Sequence, residues 1–320
     1  MQNEKWNDCF IKALYERFPQ KSQLMKELSD LLHIEREAVY RRLRQDVIFS
    51  MQEVVKISVA WNISLDRITG IHSGLVPFFM QPVNYLEPSE QELKFLRHII
   101  HSVDLLKDIP DTEFRNICNK LPRQLLAGFD QLNKFHLFRW MYKYGNAKYV
   151  VPFSQVNISE EKIRLDAEYY RAIKNVPKSV FLFDENLFDY LVYDIRYFHS
   201  IKMITCEEKD HIKKDLFALL NYLKEVARYG SYPETNSEVH LYISRLCIDT
   251  NYSYVFTKQA NICFVHVFDK FEIYTYEPDM VANFRIWMQL KQRSSIQISG
   301  VDEKSQIEYF EKQHRTVDTL

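Results

Sequence analysis

At 320 residues, with 46% hydrophobic and 27% charged positions, the chain has the composition of an ordinary folded protein, long enough for two or three domains. Aromatics at 14% leave little room for long disordered segments, and a net charge of −1 excludes a polycation, so any nucleic-acid contact has to come from a local basic patch. The five cysteines never form a CxxC pair, the N-terminal MQNEKWNDCF has no apolar signal core, and no run of about 18 apolar residues occurs; together these predict a soluble cytoplasmic protein with reduced thiols and no membrane partner.

In chain order, Trp6, Phe10, Ala13, Leu14 and Phe18 recur at the spacing of one helical face, and Pro19 ends that helix. Ser22 is placed to cap a second helix with Leu24, Leu28, Leu31 and Leu32 on its apolar face. A third helix is predicted from about Glu35 to Arg44. Ser50 and Glu53 match a capping box and open a fourth helix, with Val54, Val55, Ile57 and Trp61 inward. Ser64 caps a short fifth helix, and Leu65 and Ile68 close the bundle before Gly70. Residues 1–72 are therefore expected to form a compact five-helix domain.

Residues 73–88 hold Gly74, Pro77, Pro82 and Pro88 and read as a linker. Leu75, Val76, Phe78, Phe79 and Met80 make it too apolar for free solvation, so it is expected to pack on a neighbouring surface of this chain or a partner. Over 89–232 the helical period dominates, with helices expected near 89–107, 112–144 (disturbed at Pro122), 158–174, 185–200 and 205–229. The last of these opens with a Thr205–Glu208 capping box and ends at Gly230. After Pro233 the segments VHLYIS (239–244), YSYVF (252–256), NICFVHVF (261–268) and FEIYTY (271–276) carry the β-branched and aromatic content of strands. A helix near 278–292, the strand SIQIS (295–299) and a terminal helix complete a small α/β domain over 233–320. The expected class is α+β: an N-terminal helical bundle, a central all-α region and a C-terminal α/β domain.

The candidate function lies in LSDLLHIEREAVYRRLRQ (28–45), which reads as a helix, a tight turn and a second helix bearing Arg36, Arg41, Arg42 and Arg44. A helix entering the DNA major groove presents one face to base edges and packs the other on its partner helix. At about 100° per residue, Arg36, Glu37, Tyr40, Arg41 and Arg44 share an outward stripe, while Val39 and Leu43 fall opposite, toward Leu28 and Leu32. A guanidinium can fork onto guanine or clamp a phosphate, Tyr40 offers a ring to a thymine methyl, and Glu37 can accept from cytosine. Residues 1–72 hold 11 Lys+Arg against 10 Asp+Glu, so the charge is concentrated on this stripe, not spread over the domain.

The stretch LSDLLHIEREAVYRRLRQDVIFSMQEVVKISVAWNISLDRITG resembles the phage-repressor type of helix-turn-helix, the Cro/XRE family, without gaps. Leu28, Leu32, Ile34, Val39, Ser50, Ile57 and the Ile63–Asp66 ending carry the likeness, and the nearer match is to long regulators of Bacteroides-type bacteria with a VYRRLRG core. The resemblance to the general motif covers residues 1–72; the likeness to the long regulators extends, more weakly, to the C-terminus. It implies a transcriptional regulator whose Arg36, Glu37, Tyr40, Arg41 and Arg44 face bases or phosphates, binding a pseudo-palindromic operator in double-stranded DNA as a homodimer, the rest of the chain serving dimerisation or sensing of an effector or protein partner. Three departures stand out. His33 occupies a turn position where the family usually has glycine for a positive φ, Gln45 replaces the glycine expected after the recognition helix, and Arg42 falls where an apolar side chain is usually buried, which leaves it to snorkel toward a phosphate.

Enzyme signatures are missing from the sequence. The six glycines never form GxGxxG or GxxxxGK, and neither GxSxG nor HExxH occurs, so no catalytic residue, cofactor or metal is assigned. His98, His101 and Asp104 could share a helix face as metal ligands, but such a stripe is more often solvated. The segment FHLFRWMY (135–142) reads as core or subunit seam before cavity lining, and Asp249 and Asp269 as turn formers before catalytic carboxylates. Two other functions remain open: an enzyme that the bundle delivers to DNA, and a scaffold whose bundle binds protein.

Overall fold

A computed structural model of the chain describes all residues except 1, 62, 66, 67, 69–75, 81–88, 127, 146–149, 259–260, 268–270 and 301–302, with the side chains of 2–5 also outside the description. The chain divides into two compact units, Met1–Pro77 and Phe78–Leu320. The described residues form twelve α-helices and an eight-stranded mixed sheet, an α+β fold.

The first unit holds α1 (Gln2–Arg17), α2 (Lys21–Leu32), α3 (Arg36–Leu43) and α4 (Met51–Trp61). Their apolar stripes converge on one core containing Phe10, Leu14, Leu24, Leu28, Val39, Leu43, Phe49, Val54 and Ile57. The fifth helix falls partly outside the described residues; within them, Ile68 is buried and its amide bonds the Ser64 carbonyl at 3.3 Å. Two local expectations change. Ser22 is not the cap of α2, because the helix begins one residue earlier, behind Gln20 in extended conformation. Val55 points outward instead of inward, since it lies on the same side as Met51 and Val59, opposite the buried Val54, Ile57 and Ser58.

The second unit is built on the strand order β1-β7-β6-β5-β2-β3-β4-β8. Its strands are β1 (Phe79–Met80), β2 (Glu113–Cys118), β3 (Lys178–Asp184), β4 (Glu238–Ser244), β5 (Tyr252–Phe256), β6 (Asn261–Val267), β7 (Phe271–Thr275) and β8 (Ser295–Gln297). β2, β3 and β4 are parallel, with Phe181 opposite both Asn116 and Leu241, and all other pairings are antiparallel. Eight helices accompany the sheet: α5 (Glu90–Asp104), α6 (Arg123–Leu126), α7 (Asp130–Tyr144), α8 (Glu160–Lys174), α9 (Leu187–Ser200), α10 (Cys206–Tyr229), α11 (Pro278–Arg293) and α12 (Glu303–Asp318). Parallel neighbours need crossovers, which α6–α8 supply between β2 and β3, and α9 and α10 supply between β3 and β4.

The central all-α region is thereby corrected. Residues 89–232 contain β2 and β3, and these pair with β5 and β4 from beyond residue 233, so one sheet unites the two segments expected as separate domains. The reason is physical. In KSVFLFD (178–184) every residue after Lys178 is buried, as befits a central strand covered on both faces, and no alternation survives to be read. EFRNIC (113–118) carries the polar Arg115 and Asn116 in a strand interior: Arg115 bonds Glu113 (2.6 Å) and Gln292 (2.8 Å), and Asn116 Oδ1 accepts from the Ser253 hydroxyl (2.7 Å) while its Nδ2 is buried without a partner among the described residues. The apolar linker does find a surface in part: β1 pairs with β7, and the Phe79 ring stacks on Tyr276 at 5.3 Å.

One sheet face packs Phe181, Phe183, Leu241 and Ile243 with α7, α9, α10 and α12, and FHLFRWMY contributes Phe135, Phe138 and Met141 to that core. The other face packs Ile117, Leu182, Tyr254 and Cys263 against Val281, Phe284 and Met288 of α11. The Thr205–Glu208 capping box and the Gly230 cap (φ 66°) stand where the sequence puts them.

Candidate nucleic-acid interface

Eight residues are too few for an independent helix in water, so α3 depends on docking. Val39 and Leu43 are buried in the bundle core with Leu24 and Leu28. Glu37 in the first turn and Arg41 and Arg42 in the last suit the helix dipole. The turn before α3 is fixed by the Ser29 hydroxyl, which donates to the Ile34 carbonyl at 2.6 Å, and by His33 in the left-handed region at φ 56°. The turn after α3 is fixed by Gln45 at φ 67°, its amide bonding the Arg42 carbonyl at 3.0 Å. His33 and Gln45 thus both hold a backbone conformation that glycine adopts most readily. Gln45 has a compensating role: its Nε2 donates to Asp8 Oδ1 at 2.6 Å and its Oε1 accepts from Asn7 Nδ2 at 3.4 Å, tying α1 to the end of α3.

Arg36, Glu37, Arg41 and Arg44 are exposed, and Tyr40 is half-buried between them. Among the described residues, Arg36 and Arg41 pair with no carboxylate, whereas Arg44 Nε lies 3.6 Å from Asp46 in a solvent-screened contact. Lys21, at the start of α2, places its ammonium 4.7 Å from the Tyr40 ring centroid, and the Arg44 guanidinium lies 5.5 Å from the same centroid. Lys21 therefore joins this surface, an addition no helical spacing within α3 could reveal.

Arg42 departs from its expected role. It does not reach outward: Nη2 pairs with Glu53 Oε1 at 2.8 Å, Nε donates to Glu53 Oε2 at 3.1 Å, and Nη1 donates to the Ala38 carbonyl at 3.1 Å. The two side chains are only 18% and 16% exposed. Glu53 Oε2 also accepts from the Ser50 amide at 2.8 Å, so the capping box of α4 and the clamp on α3 share one carboxylate. Burial raises the Glu53 pKa, but the Arg42 hydrogen bonds, the Ser50 amide and the Arg42 charge outweigh it and hold the carboxyl below its usual range. Arg42 is a fastener between α3 and α4.

In the second unit the other candidates separate. Asp104 is taken up by Lys107 at 2.7 Å, and the Asp249 carbonyl accepts from the Asn119 side chain at 3.0 Å, a loop-fixing contact. Asp269 lies outside the described residues. Among the described residues no group of three or more His, Cys, Asp and Glu side chains is placed to hold a metal ion, and no helix is long and apolar enough to cross a membrane. Comparison with protein-family models, curated proteins and solved structures returns no match to the chain.

Proposed function

We propose that this chain is a sequence-specific DNA-binding transcriptional regulator that reads a pseudo-palindromic operator through α3 as a homodimer, with the second unit sensing an effector or partner. One observation carries the reading: the exposed side of α3 presents Arg36, Glu37, Arg41 and Arg44 around Tyr40, while the fourth arginine, Arg42, is withdrawn into an internal clamp. A merely solvated helix face has no need of that sorting. Residues 28–70 also resemble the Cro/XRE motif, and the two positive-φ turns frame α3 as that motif requires. An exposed apolar row on α4, Met51, Val55 and Val59, supports pairing of two copies, with reading helices about 34 Å apart on the duplex. The reading assigns no catalytic residue and no cofactor.

The test is selection of bound duplexes from a random pool with the full chain. A palindromic consensus is expected, and Arg36→Ala and Arg41→Ala should each weaken binding to it by about 1–3 kcal/mol without loss of helicity. Binding to the selected site that survives the double substitution removes α3 from the mechanism.

A further inference from the structure

α11 packs through Val281, Phe284 and Met288, which leaves a second helix face beside strands β5–β7. Pro278, Ala282, Arg285, Ile286 and Gln289 lie on that face at helical spacing, and with Tyr254, Tyr276 and Asn261 they bound a cleft of about 740 Å³. This volume is that of small-molecule sites, and the cleft is open to solvent along the exposed side of α11. The walls are mostly flat or aliphatic, and Ile286 and Tyr276 remain exposed at 55% and 37%. Filling the cleft would remove that apolar surface from water.

The charge in the cleft has one sign. Among the described residues bounding it, Arg285 is the only charged one, and its guanidinium lies 4.4 Å from the centroid of the Phe256 ring. Arg285 is exposed, and among the described residues it has no ion pair and no hydrogen bond, so its N–H edge is open to an anion that could take it up in a charge-assisted, bidentate bond. Stacking on Phe256 orients the guanidinium and lowers the entropy lost when its N–H edge takes up an anion. Asn261 and Gln289 supply neutral amides beside it.

We propose that this cleft binds a small planar aromatic anion, its ring lodged against the tyrosine and aliphatic walls and its carboxylate or phosphate held by Arg285. The inference rests on the regulator reading only for its purpose, as the effector site; the binding itself is independent of DNA.

The experiment uses the full chain without DNA and two isosteric probes, 2-naphthoate and neutral 2-naphthamide, followed by isothermal titration and saturation-transfer NMR. Naphthoate should bind saturably and at least tenfold tighter than naphthamide. Arg285→Met, which keeps an unbranched side chain over Phe256, should abolish that preference while changing naphthamide affinity less than twofold. Ala282→Trp should fill the cleft and remove binding of both, with circular dichroism confirming the fold. Absence of saturable naphthoate binding, equal affinity for the two probes, or a preference that persists in Arg285→Met overturns the proposal. Failure here leaves operator binding by α3 untouched, and loss of operator binding in the arginine variants leaves these titrations untouched.

Discussion

If the Arg42–Glu53 clamp holds α3 in position, Glu53→Ala should loosen the first unit well before it touches any DNA contact. The substitution deletes the two-point contact with Arg42 and the bond to the Ser50 amide. Hydrogen bonds to a charged group contribute about 1.5–3 kcal/mol, and partial exposure at 16–18% places this pair toward the lower end. Loss of the Ser50 amide bond, the reciprocal half of the capping box, adds about 1 kcal/mol, while the Ser50 hydroxyl still caps the helix. The expected cost is therefore about 2.5 kcal/mol, with Arg42→Ala costing about 2 kcal/mol and a double-mutant coupling of about 1.5 kcal/mol. Hydrogen–deuterium exchange of the full chain, read on peptides covering α3 and α4, is the direct assay. Protection there should fall by about 70-fold in Glu53→Ala, while peptides of the sheet keep theirs. Additivity of the two single substitutions within about 0.5 kcal/mol would refute the clamp. So would an Arg42→Ala protein with unchanged exchange but weakened DNA binding, since that pattern belongs to an outward, phosphate-seeking arginine.

Two further perturbations test other parts of the fold. His33→Gly should stabilise the first unit by about 1 kcal/mol by relieving a left-handed backbone, whereas Gln45→Gly should gain little or nothing because it also cuts the ties to Asn7 and Asp8; urea midpoints of the two variants rising equally would contradict the tie. In the second unit, burial and then the Arg123 charge lower the Lys162 pKa to about 8, despite the attraction of Asp166. The folded state therefore binds this proton more weakly than the unfolded chain. Stability is expected to rise between pH 8 and about 10.4, by up to about 3 kcal/mol, and Lys162→Met should flatten that limb of a urea-stability profile. An unchanged limb in the variant would place the titration elsewhere.

What could be read in the sequence followed from periodicity. Helices with a one-sided apolar stripe, such as α2 with Leu24 and Leu28 or α10 between Thr205 and Gly230, declare themselves because only one face is buried. The strands β4–β7 declare themselves through β-branched and aromatic content. β3, which falls in the gap between the helices expected at 158–174 and 185–200, does not, because burial on both faces erases the alternation that would mark a strand. The exposed face of α3 was legible as a stripe on one helix, but its sorting was not. Arg42 is taken out of it by Glu53, eleven residues away on α4, and Lys21 is brought in from α2. The cleft was illegible for the same reason, since Tyr254, Tyr276 and Arg285 meet only when strands β5–β7 and α11 come together.

The sorting of charge on α3 has a consequence for salt dependence. Among the described residues, Arg42 is neutralised by Glu53 and Arg44 Nε lies 3.6 Å from Asp46, so the cations of this surface that meet no carboxylate are Arg36, Arg41 and Lys21, the last lying over Tyr40. Each phosphate neutralised on duplex DNA contributes about 0.9 to the slope of log affinity against log salt. If Arg36, Arg41 and Lys21 all met phosphates, one bundle would give a slope no steeper than about −2.7, and a dimer about −5.4. Any of the three spent on a base edge lowers the magnitude further, because base contacts release no condensed ions. A regulator built this way should lose modest affinity on going from low to physiological salt, and its discrimination between operator and random duplex should come from the arginine forks and Tyr40. Titration of the selected operator at several salt concentrations measures the slope. A dimer slope steeper than about −7 would mean that cations outside α3 and Lys21 carry the binding, and the recognition surface would have to be redrawn to include them.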